Sequence, residues 1–205
     1  MYSFFRCHHK CPGKTVLFTG FLNGTTCHPI VNTIVPHTMQ SNVKSCRQCI
    51  FASMKVLMVC LGNICRSPLA EGILQHKVQL AGLHWEVNSA GTGNYHIGEP
   101  PHLLSQKVAM AHGIDISNHR ARQFTANDMM AYDKIYVMDL DNYKAVEQIS
   151  KKHFDAAKTA FIMNELFPGS NTEVPDPWFG TENDFITVYQ MLDAATDSIL
   201  QKYSS

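Results

Sequence analysis

Residues 56–68 constrain the fold more than any other part of the chain, and they read Val-Leu-Met-Val-Cys-Leu-Gly-Asn-Ile-Cys-Arg-Ser-Pro. The apolar run at the start is typical of a buried strand, and a short loop leads from it directly into a helix start. Ser67 is a favourable N-cap residue, and Pro68 fits the first helical turn, where its missing N–H is not needed. A buried strand followed at once by a helix predicts the beginning of a βαβ unit.

Strand and helix patterns alternate through the rest of the chain. We predict strands at residues 55–60, 84–89, 133–138 and 159–163, and helices at residues 67–80, 102–112, 125–130, 142–149 and 183–203. Such alternation implies right-handed crossovers and a parallel sheet covered by helices on both faces. Residues 54–205 are therefore predicted to form one α/β domain, with its ligand site beyond the carboxyl ends of the strands.

The loop after the first strand holds a cysteine and an arginine six residues apart. Cys60 would lie at the N-terminus of the following helix, where free N–H groups and the helix dipole favour anions and the thiolate form of cysteine. Arg66 can bind two oxygens of one phosphate with its planar guanidinium. The alternative is a buried strand whose turn happens to contain a small apolar cysteine. The ordered combination of strand, cysteine, Gly-Asn loop, arginine and helix favours phosphoryl transfer through Cys60.

Charges and cysteines are distributed unevenly along the 205 residues. Residues 1–53 contain no Asp or Glu and five of the seven cysteines, whereas residues 54–205 contain all 17 acidic residues against 12 Lys and Arg, an excess of five negative charges. An acidic domain argues against nucleic acid as a partner, because binding to its backbone needs clustered Lys and Arg.

No apolar run reaches the roughly 18 residues of a membrane span, so no membrane association is predicted. The two remaining cysteines share one loop, which favours a reducing cytoplasm.

Residues 1–53 show no sustained hydrophobic period, and three interpretations are open. The first is a disordered or non-native extension upstream of a start at Met54, which the composition favours. The second is a zinc site drawn from two cysteine pairs, Cys7 with Cys11 and Cys46 with Cys49. The third is a targeting peptide, which the missing acidic residues would suit and the five cysteines would not.

Residues 59–71, together with the pair Asp176-Pro177, make the chain resemble the low-molecular-weight protein tyrosine phosphatases. The resemblance covers residues 55 to about 203, and a C-x5-R-S loop followed by a late Asp-Pro is specific in this order. It implies a four-stranded parallel sheet of the flavodoxin-like class. It also implies hydrolysis of phosphotyrosine in protein substrates without metal or cofactor, by a monomer or weak dimer.

The chemistry of such a reaction assigns a role to each residue. Cys60 would attack phosphorus while Arg66 and the loop N–H groups hold the phosphate oxygens. Asp176 would protonate the phenolate leaving group and then activate water against the phosphocysteine, although Asp also commonly opens turns such as Val-Pro-Asp-Pro. The predicted phosphate-binding loop consists of Leu61, Gly62, Asn63, Ile64, Cys65 and Ser67. Ser67 would both cap the following helix and donate a hydrogen bond to the sulfur, so that the phosphocysteine can leave.

The resemblance also assigns supporting roles outside the loop. Ser89, His112 and Asp139 are predicted to brace it by hydrogen bonds, although His112 could equally be an ordinary cation at a helix C-terminus. Tyr95 and Trp178 are predicted to form two aromatic walls that favour a flat phenyl ring over phosphoserine or phosphothreonine, the alternative being two ordinary half-buried aromatics.

Cys65 has two open interpretations. In the family the corresponding cysteine forms a reversible disulfide with the nucleophile under peroxide, whereas the alternative is a simply packed thiol.

Three rival functions fit parts of the pattern. Arsenate reductases need further downstream cysteines, and this chain has none after Cys65. Protein arginine phosphatases typically carry threonine at the position of Ile64, which favours the tyrosine enzyme. A silent phosphate-binding module would lack the nucleophile, the arginine or the acid, and all three are present here.

Overall fold

A computed structural model describes residues 53–204. They contain a parallel sheet of order β2-β1-β3-β4, built from β1 (Lys55–Cys60), β2 (Glu86–Gly91), β3 (Lys134–Val137) and β4 (Thr159–Phe161). The helices are α1 (Arg66–Leu80), α2 (Leu103–Ala111), α3 (Ala126–Ala131), α4 (Leu140–Ser150) and α5 (Glu182–Tyr203). Short 3₁₀ turns follow α4 and β4. The predicted four-stranded parallel sheet is confirmed.

Strand β1 lies at the centre of the sheet, between β2 and β3. Because successive strand residues point to opposite faces, β1 contributes to two separate apolar cores. Val56 and Met58 pack in the core that also contains residues of α1, α2 and α5, whereas Leu57 and Val59 pack in the core that includes residues of α3 and α4. Helices thus cover both faces, as predicted, and all four side chains are fully buried.

Element boundaries differ from the predictions in two instructive places. Strand β2 begins at Glu86 and continues to Gly91, two residues beyond the predicted end at residue 89, and Gly91 pairs in register with Cys60. Helix α1 begins one residue earlier than predicted, and its N-cap is Cys65. Of the two roles predicted for Ser67, the cap is wrong, because the helix already begins at Arg66. The Ser67 hydroxyl does lie 3.0 Å from the Cys60 sulfur, as predicted.

The interpretations offered for residues 1–53 concern, apart from Ser53, residues outside the described part of the chain. Among the helices of residues 53–204, including the 22-residue α5, none combines the length and apolarity that a membrane crossing demands.

Candidate active site

Cys60 is the last residue of β1 and lies at the carboxyl edge of the sheet with 2% of its surface exposed. The backbone N–H of Asn63 donates to its sulfur at 3.3 Å, and the Ser67 hydroxyl lies 3.0 Å from the same atom. Ser67 Oγ already accepts a hydrogen bond from the Asn63 amide at 2.9 Å. Its own proton is therefore free for the sulfur or for the Ala90 carbonyl, which lies 3.4 Å away.

Asn63 holds the loop in its unusual shape. Its φ of 56° lies in the left-handed region, which asparagine tolerates better than most residues. Its side-chain Nδ2 donates to Ser67 at 2.9 Å and to Ser89 at 2.7 Å. Its Oδ1 accepts from the Arg122 backbone N–H at 2.9 Å and lies 3.3 Å from His119 Nε2. Two donors and two acceptor positions are all that an amide side chain has, so Asn63 is fully satisfied although it is fully buried.

A glutamate completes this network. Ser89 Oγ donates to Glu71 Oε2 at 2.6 Å, and the same carboxylate oxygen lies 3.3 Å from His119 Nδ1. Asn63, Ser89, Glu71 and His119 thereby form a closed ring of polar contacts behind the loop. Sequence reasoning missed Glu71, although it stands inside the quoted motif, and it missed His119, which no local spacing connects to the loop.

The prediction for His112 needs correction. This residue caps the C-terminus of α2, and its ring stacks on Tyr189 of α5 with centroids 3.9 Å apart. The histidine that contacts the phosphate-binding loop is His119, seven residues further along the chain. Both histidines follow α2, so the path of the chain after Gly113 determines which of them reaches the loop.

Arg66 is the most buried charged group of the site, with 3% of its side chain exposed. Its Nη1 donates to Asp139 at 2.6 Å and to the Val174 carbonyl at 3.1 Å, and its Nη2 contacts Asp176 at 2.7 Å. Burial alone lowers the pKa of Arg66, but the Cys60 sulfur and the two carboxylates outweigh it and raise the pKa above its usual value. The guanidinium therefore stays charged and is held rigidly beside the sulfur.

Two predicted residues far apart in sequence meet at this arginine. Asp139 also caps α4, accepting from the Asn142 N–H at 2.7 Å, which fixes its carboxylate. Asp176 lies in the loop before α5, where its Oδ1 accepts from the Trp178 N–H at 3.2 Å. Its carboxylate is 42% exposed, so it faces the solvent-accessible side of the arginine.

Above the sulfur lies a cleft of about 350 Å³. Both predicted wall residues line it, with Tyr95 75% exposed and Trp178 38% exposed. Its lining also includes Phe179, next to Trp178, and His96, whose position was not predicted. His96 packs on Trp178 with ring centroids 5.3 Å apart. The cleft is thus apolar and aromatic at its mouth, with sulfur, guanidinium and carboxylate at its base.

Cys65 lies in the same loop and is buried, with 5% of its surface exposed. Burial raises the pKa of the Cys65 thiol to about 12, and the nearby Cys60 and Asp176 act in the same direction. At neutral pH Cys65 is a protonated thiol.

Gly91 allows the loop to approach the end of β2. A Cβ built on it would lie 2.7 Å from the Leu61 carbonyl oxygen, 3.0 Å from the Gly62 carbonyl carbon and 3.1 Å from the Asn63 nitrogen. These are backbone atoms of the phosphate-binding loop, so they cannot rotate away as a flexible side chain would. The loop keeps its shape only if residue 91 has no side chain.

Comparisons with known proteins place this geometry among related enzymes. A family model described as low molecular weight phosphotyrosine protein phosphatase matches residues 55–204. The human low molecular weight phosphotyrosine protein phosphatase is 37% identical over 153 residues, which cover 74% of this chain and 96% of that protein. Vibrio vulnificus Wzb, solved in complex with benzylphosphonate, is 30% identical with a TM-score of 0.65, covering 73% of this chain and 98% of that one. The Drosophila arginine phosphatase DARP is 32% identical with a TM-score of 0.69, covering 74% and 99%. The predicted flavodoxin-like fold class is confirmed.

Replacing Gly91 by alanine tests whether the loop binds phosphate in the shape described. The added Cβ must displace the backbone of residues 61–63. Each N–H lost to a charged acceptor costs about 1.5–3 kcal/mol, so Gly91→Ala is expected to weaken binding of inorganic phosphate by about tenfold or more. Isothermal titration calorimetry measures this affinity.

Gly82→Ala is the matched control. Gly82 follows α1 with φ of 66° and has no atom within 4 Å of a built Cβ. This variant is expected to lose about 1 kcal/mol of stability with unchanged phosphate affinity. Equal phosphate affinity in both variants would contradict the described packing of the loop on Gly91.

Proposed function

Because the chain belongs to the low molecular weight phosphotyrosine protein phosphatase family, we propose that it hydrolyses phosphotyrosine in proteins through a phosphocysteine intermediate. One observation carries the proposal: a cysteine sulfur, a buried guanidinium and a partly exposed carboxylate share the base of one cleft. We further propose that residues 54–205 form the catalytic domain, which the match over residues 55–204 supports.

In the first step the Cys60 sulfur attacks phosphorus opposite the tyrosine oxygen. The S–P bond forms as the P–O bond breaks, and Asp176 transfers its proton to the departing phenolate oxygen. Arg66 and the loop N–H groups bind the equatorial oxygens, where negative charge is concentrated in the transition state. Asp176 Oδ2 accepts a hydrogen bond from Arg66 Nη2 at 2.7 Å. A phosphate that binds Nη2 replaces this contact, and the carboxyl group of Asp176 is then free to approach the leaving oxygen.

In the second step water attacks the phosphocysteine. Asp176, now ionised, accepts the proton from this water as the P–S bond breaks. Ser67 lies 3.0 Å from the sulfur and donates a hydrogen bond to it as it leaves. Inorganic phosphate and the original thiolate are the products, Asp176 is again protonated, and no group changes its oxidation state.

The depth and lining of the cleft support tyrosine as the substrate residue. The sulfur lies beneath an aromatic mouth formed in part by Tyr95 and Trp178. A phenyl ring can reach the base of such a cleft while it packs against both walls, whereas phosphoserine and phosphothreonine are too short to use them.

Replacement of Asp176 tests its proposed role as the proton donor to the leaving group. Asp176→Asn is expected to lower kcat/KM for phosphotyrosine by about 10²–10⁴, because the phenolate must leave unprotonated. The loss should be smaller for para-nitrophenyl phosphate, whose leaving group needs less protonation. The descending limb of the pH–rate profile, which reports the acid, should disappear in this variant.

Cys60→Ser serves as the companion variant. It removes the nucleophile but keeps Arg66 and the loop N–H groups, so it is expected to lose hydrolysis and retain phosphate binding. Residual turnover in Cys60→Ser, or an Asp176→Asn loss that is equal for both leaving groups, would contradict the mechanism.

A protein arginine phosphatase activity is the second candidate, supported by the similarity to the Drosophila arginine phosphatase. Ile64 argues against it, because this side chain lines the cleft and supplies only apolar atoms where those enzymes typically carry threonine. We expect faster turnover of a phosphotyrosine peptide than of a phosphoarginine peptide of the same flanking sequence. A preference for phosphoarginine would reverse the assignment.

We also propose that Cys60 and Cys65 form a protective disulfide. Peroxide oxidises the Cys60 thiolate to a sulfenic acid, the Cys65 sulfur attacks it, and water leaves as the S–S bond forms. Burial raises the pKa of Cys65 to about 12, so the attacking thiolate is scarce at neutral pH.

The pH dependence of ring closure tests this route. After a short peroxide pulse is stopped with catalase, disulfide formation should accelerate about tenfold per pH unit between pH 6.5 and 8.5, in proportion to the Cys65 thiolate. Trapping of the remaining sulfenic acid, followed by mass spectrometry, measures the rate, and Cys65→Ser is the control without a disulfide. Inactivation that added thiol does not reverse, or closure independent of pH, would contradict the proposal.

A further inference from the structure

We propose that His102 is a positioning residue that holds the loop carrying Asp176 over the phosphate-binding loop. This inference rests on the proposed function, because it assigns to His102 the alignment of the general acid. His102 touches neither the sulfur nor the guanidinium in any contact of the described residues. It acts through two loops that are far apart in sequence and that it contacts at once.

The first contact joins His102 to the phosphate-binding loop. Its backbone N–H donates to the Ile64 carbonyl at 2.7 Å. Its ring Nδ1 accepts from the Leu104 N–H at 3.2 Å, which caps α2 and leaves the proton of the neutral ring on Nε2. The cap fixes the direction of the ring relative to the helix.

The second contact joins the ring to the acid-bearing loop. One side of the His102 ring stacks on Phe185, with centroids 4.9 Å apart and planes at 13°. Phe185 belongs to α5 and is fully buried, so it is a fixed support. Trp178 meets the same imidazole edge-on, with centroids 5.4 Å apart and planes at 63°. The imidazole therefore couples Trp178 to the helical frame of the protein.

Trp178 transmits this position to the acid. Its backbone N–H donates to Asp176 Oδ1 at 3.2 Å, so a shift of the Trp178 backbone moves the carboxylate. His96 also packs on Trp178, at 5.3 Å, but its own partner is Glu99, whose side chain is 55% exposed. His102 is the better anchored of the two, because a helix cap and a buried phenylalanine both hold its ring.

The other end of α2 supplies a matched comparison. His112 stacks on Tyr189 at 3.9 Å and 12°, and Tyr189 is one helical turn beyond Phe185 in α5. Both histidines thus join α2 to α5 by a stacked ring. Of these two histidines, only His102 also contacts the two loops of the active site. A comparison of variants at the two positions therefore distinguishes a positioning role from a purely structural one.

A displaced acid has a kinetic signature of its own. The proton from Asp176 matters most when the leaving group is poorly stabilised, so misalignment lowers kcat/KM for phenyl phosphate and phosphotyrosine more than for para-nitrophenyl phosphate. A general loss of folding or of phosphate binding lowers all three alike. The dependence of kcat/KM on the pKa of the leaving phenol is therefore the decisive measurement.

Three substitutions test the inference in the full chain. His102→Asn keeps a good N-cap and removes the ring, and we expect it to lower kcat/KM for phenyl phosphate by about tenfold, part of the 10²–10⁴ that complete loss of an acid costs. The loss for para-nitrophenyl phosphate should stay below about twofold. His102→Phe keeps an aromatic ring and should restore most of the phenyl phosphate activity. His112→Asn should leave the leaving-group dependence unchanged.

A double variant separates this inference from the proposed function. In an Asp176→Asn background, His102→Asn should cause no further selective loss, because there is no acid left to position. An equal loss for all leaving groups, an effect matched by His112→Asn, or additive losses in the double variant would overturn the role of His102. Absence of phosphotyrosine hydrolysis by the wild type, or an unaffected Asp176→Asn, would instead overturn the proposed function.

Discussion

The active site depends on the hydrogen bonds of the Asn63 side chain. It sits at a left-handed position in the loop after β1 and uses every hydrogen-bonding position of its amide. These bonds tie the loop to α1, to β2 and to residues 119–122. A buried amide that lost one partner would pay the desolvation cost of the unpaired group, about 1–3 kcal/mol. The loop is therefore held in one shape, and the catalysis proposed for this site would need no reorganisation of it.

The buried charge of Arg66 organises the other side of the sulfur. An isolated guanidinium with 3% exposure would be costly, and two carboxylates offset this cost. Asp139 is itself fixed as a helix cap, so it holds one end of the guanidinium permanently. Asp176 is on a more exposed loop and contacts the other end. This asymmetry supports the proposed roles, in which Asp139 stays on the arginine and Asp176 exchanges its contact with the arginine for one with the substrate.

The loop that carries the acid is fixed mainly by aromatic packing. Trp178 packs between His96 and His102, and Phe179 extends from it with 97% of its surface exposed. Ring packing of this kind is weaker and less directional than the hydrogen bonds around Asn63. Cys60 is thus held rigidly, whereas Asp176, the proposed acid, is held more loosely. A reaction in which Asp176 must donate a proton in one step and accept one in the next is compatible with that difference.

The features that could be predicted from the sequence are those that depend on neighbours along the chain. An apolar run, a Cys-x5-Arg loop and a Pro-started helix predicted β1, the nucleophile and the arginine, because hydrophobic period and helix-start signals are local. Alternating strand and helix patterns predicted the parallel sheet for the same reason. Asp176 was found only because a family pattern pairs it with the loop, since 110 residues separate it from Arg66.

The tertiary structure was needed to show which histidine contacts the loop and which residues pack against the loop that carries Asp176. His119 rather than His112 reaches Asn63, because the chain turns back towards the sheet after α2. Ser67 does not cap α1, because the helix begins at Arg66 with Cys65 as its N-cap. The roles of Gly91 and Glu71, and the role proposed for His102, depend on contacts with residues that are distant in the sequence. The hydrophobic period of a sequence indicates which face of a helix or strand is buried. It does not indicate which residues of another helix, strand or loop pack against that face.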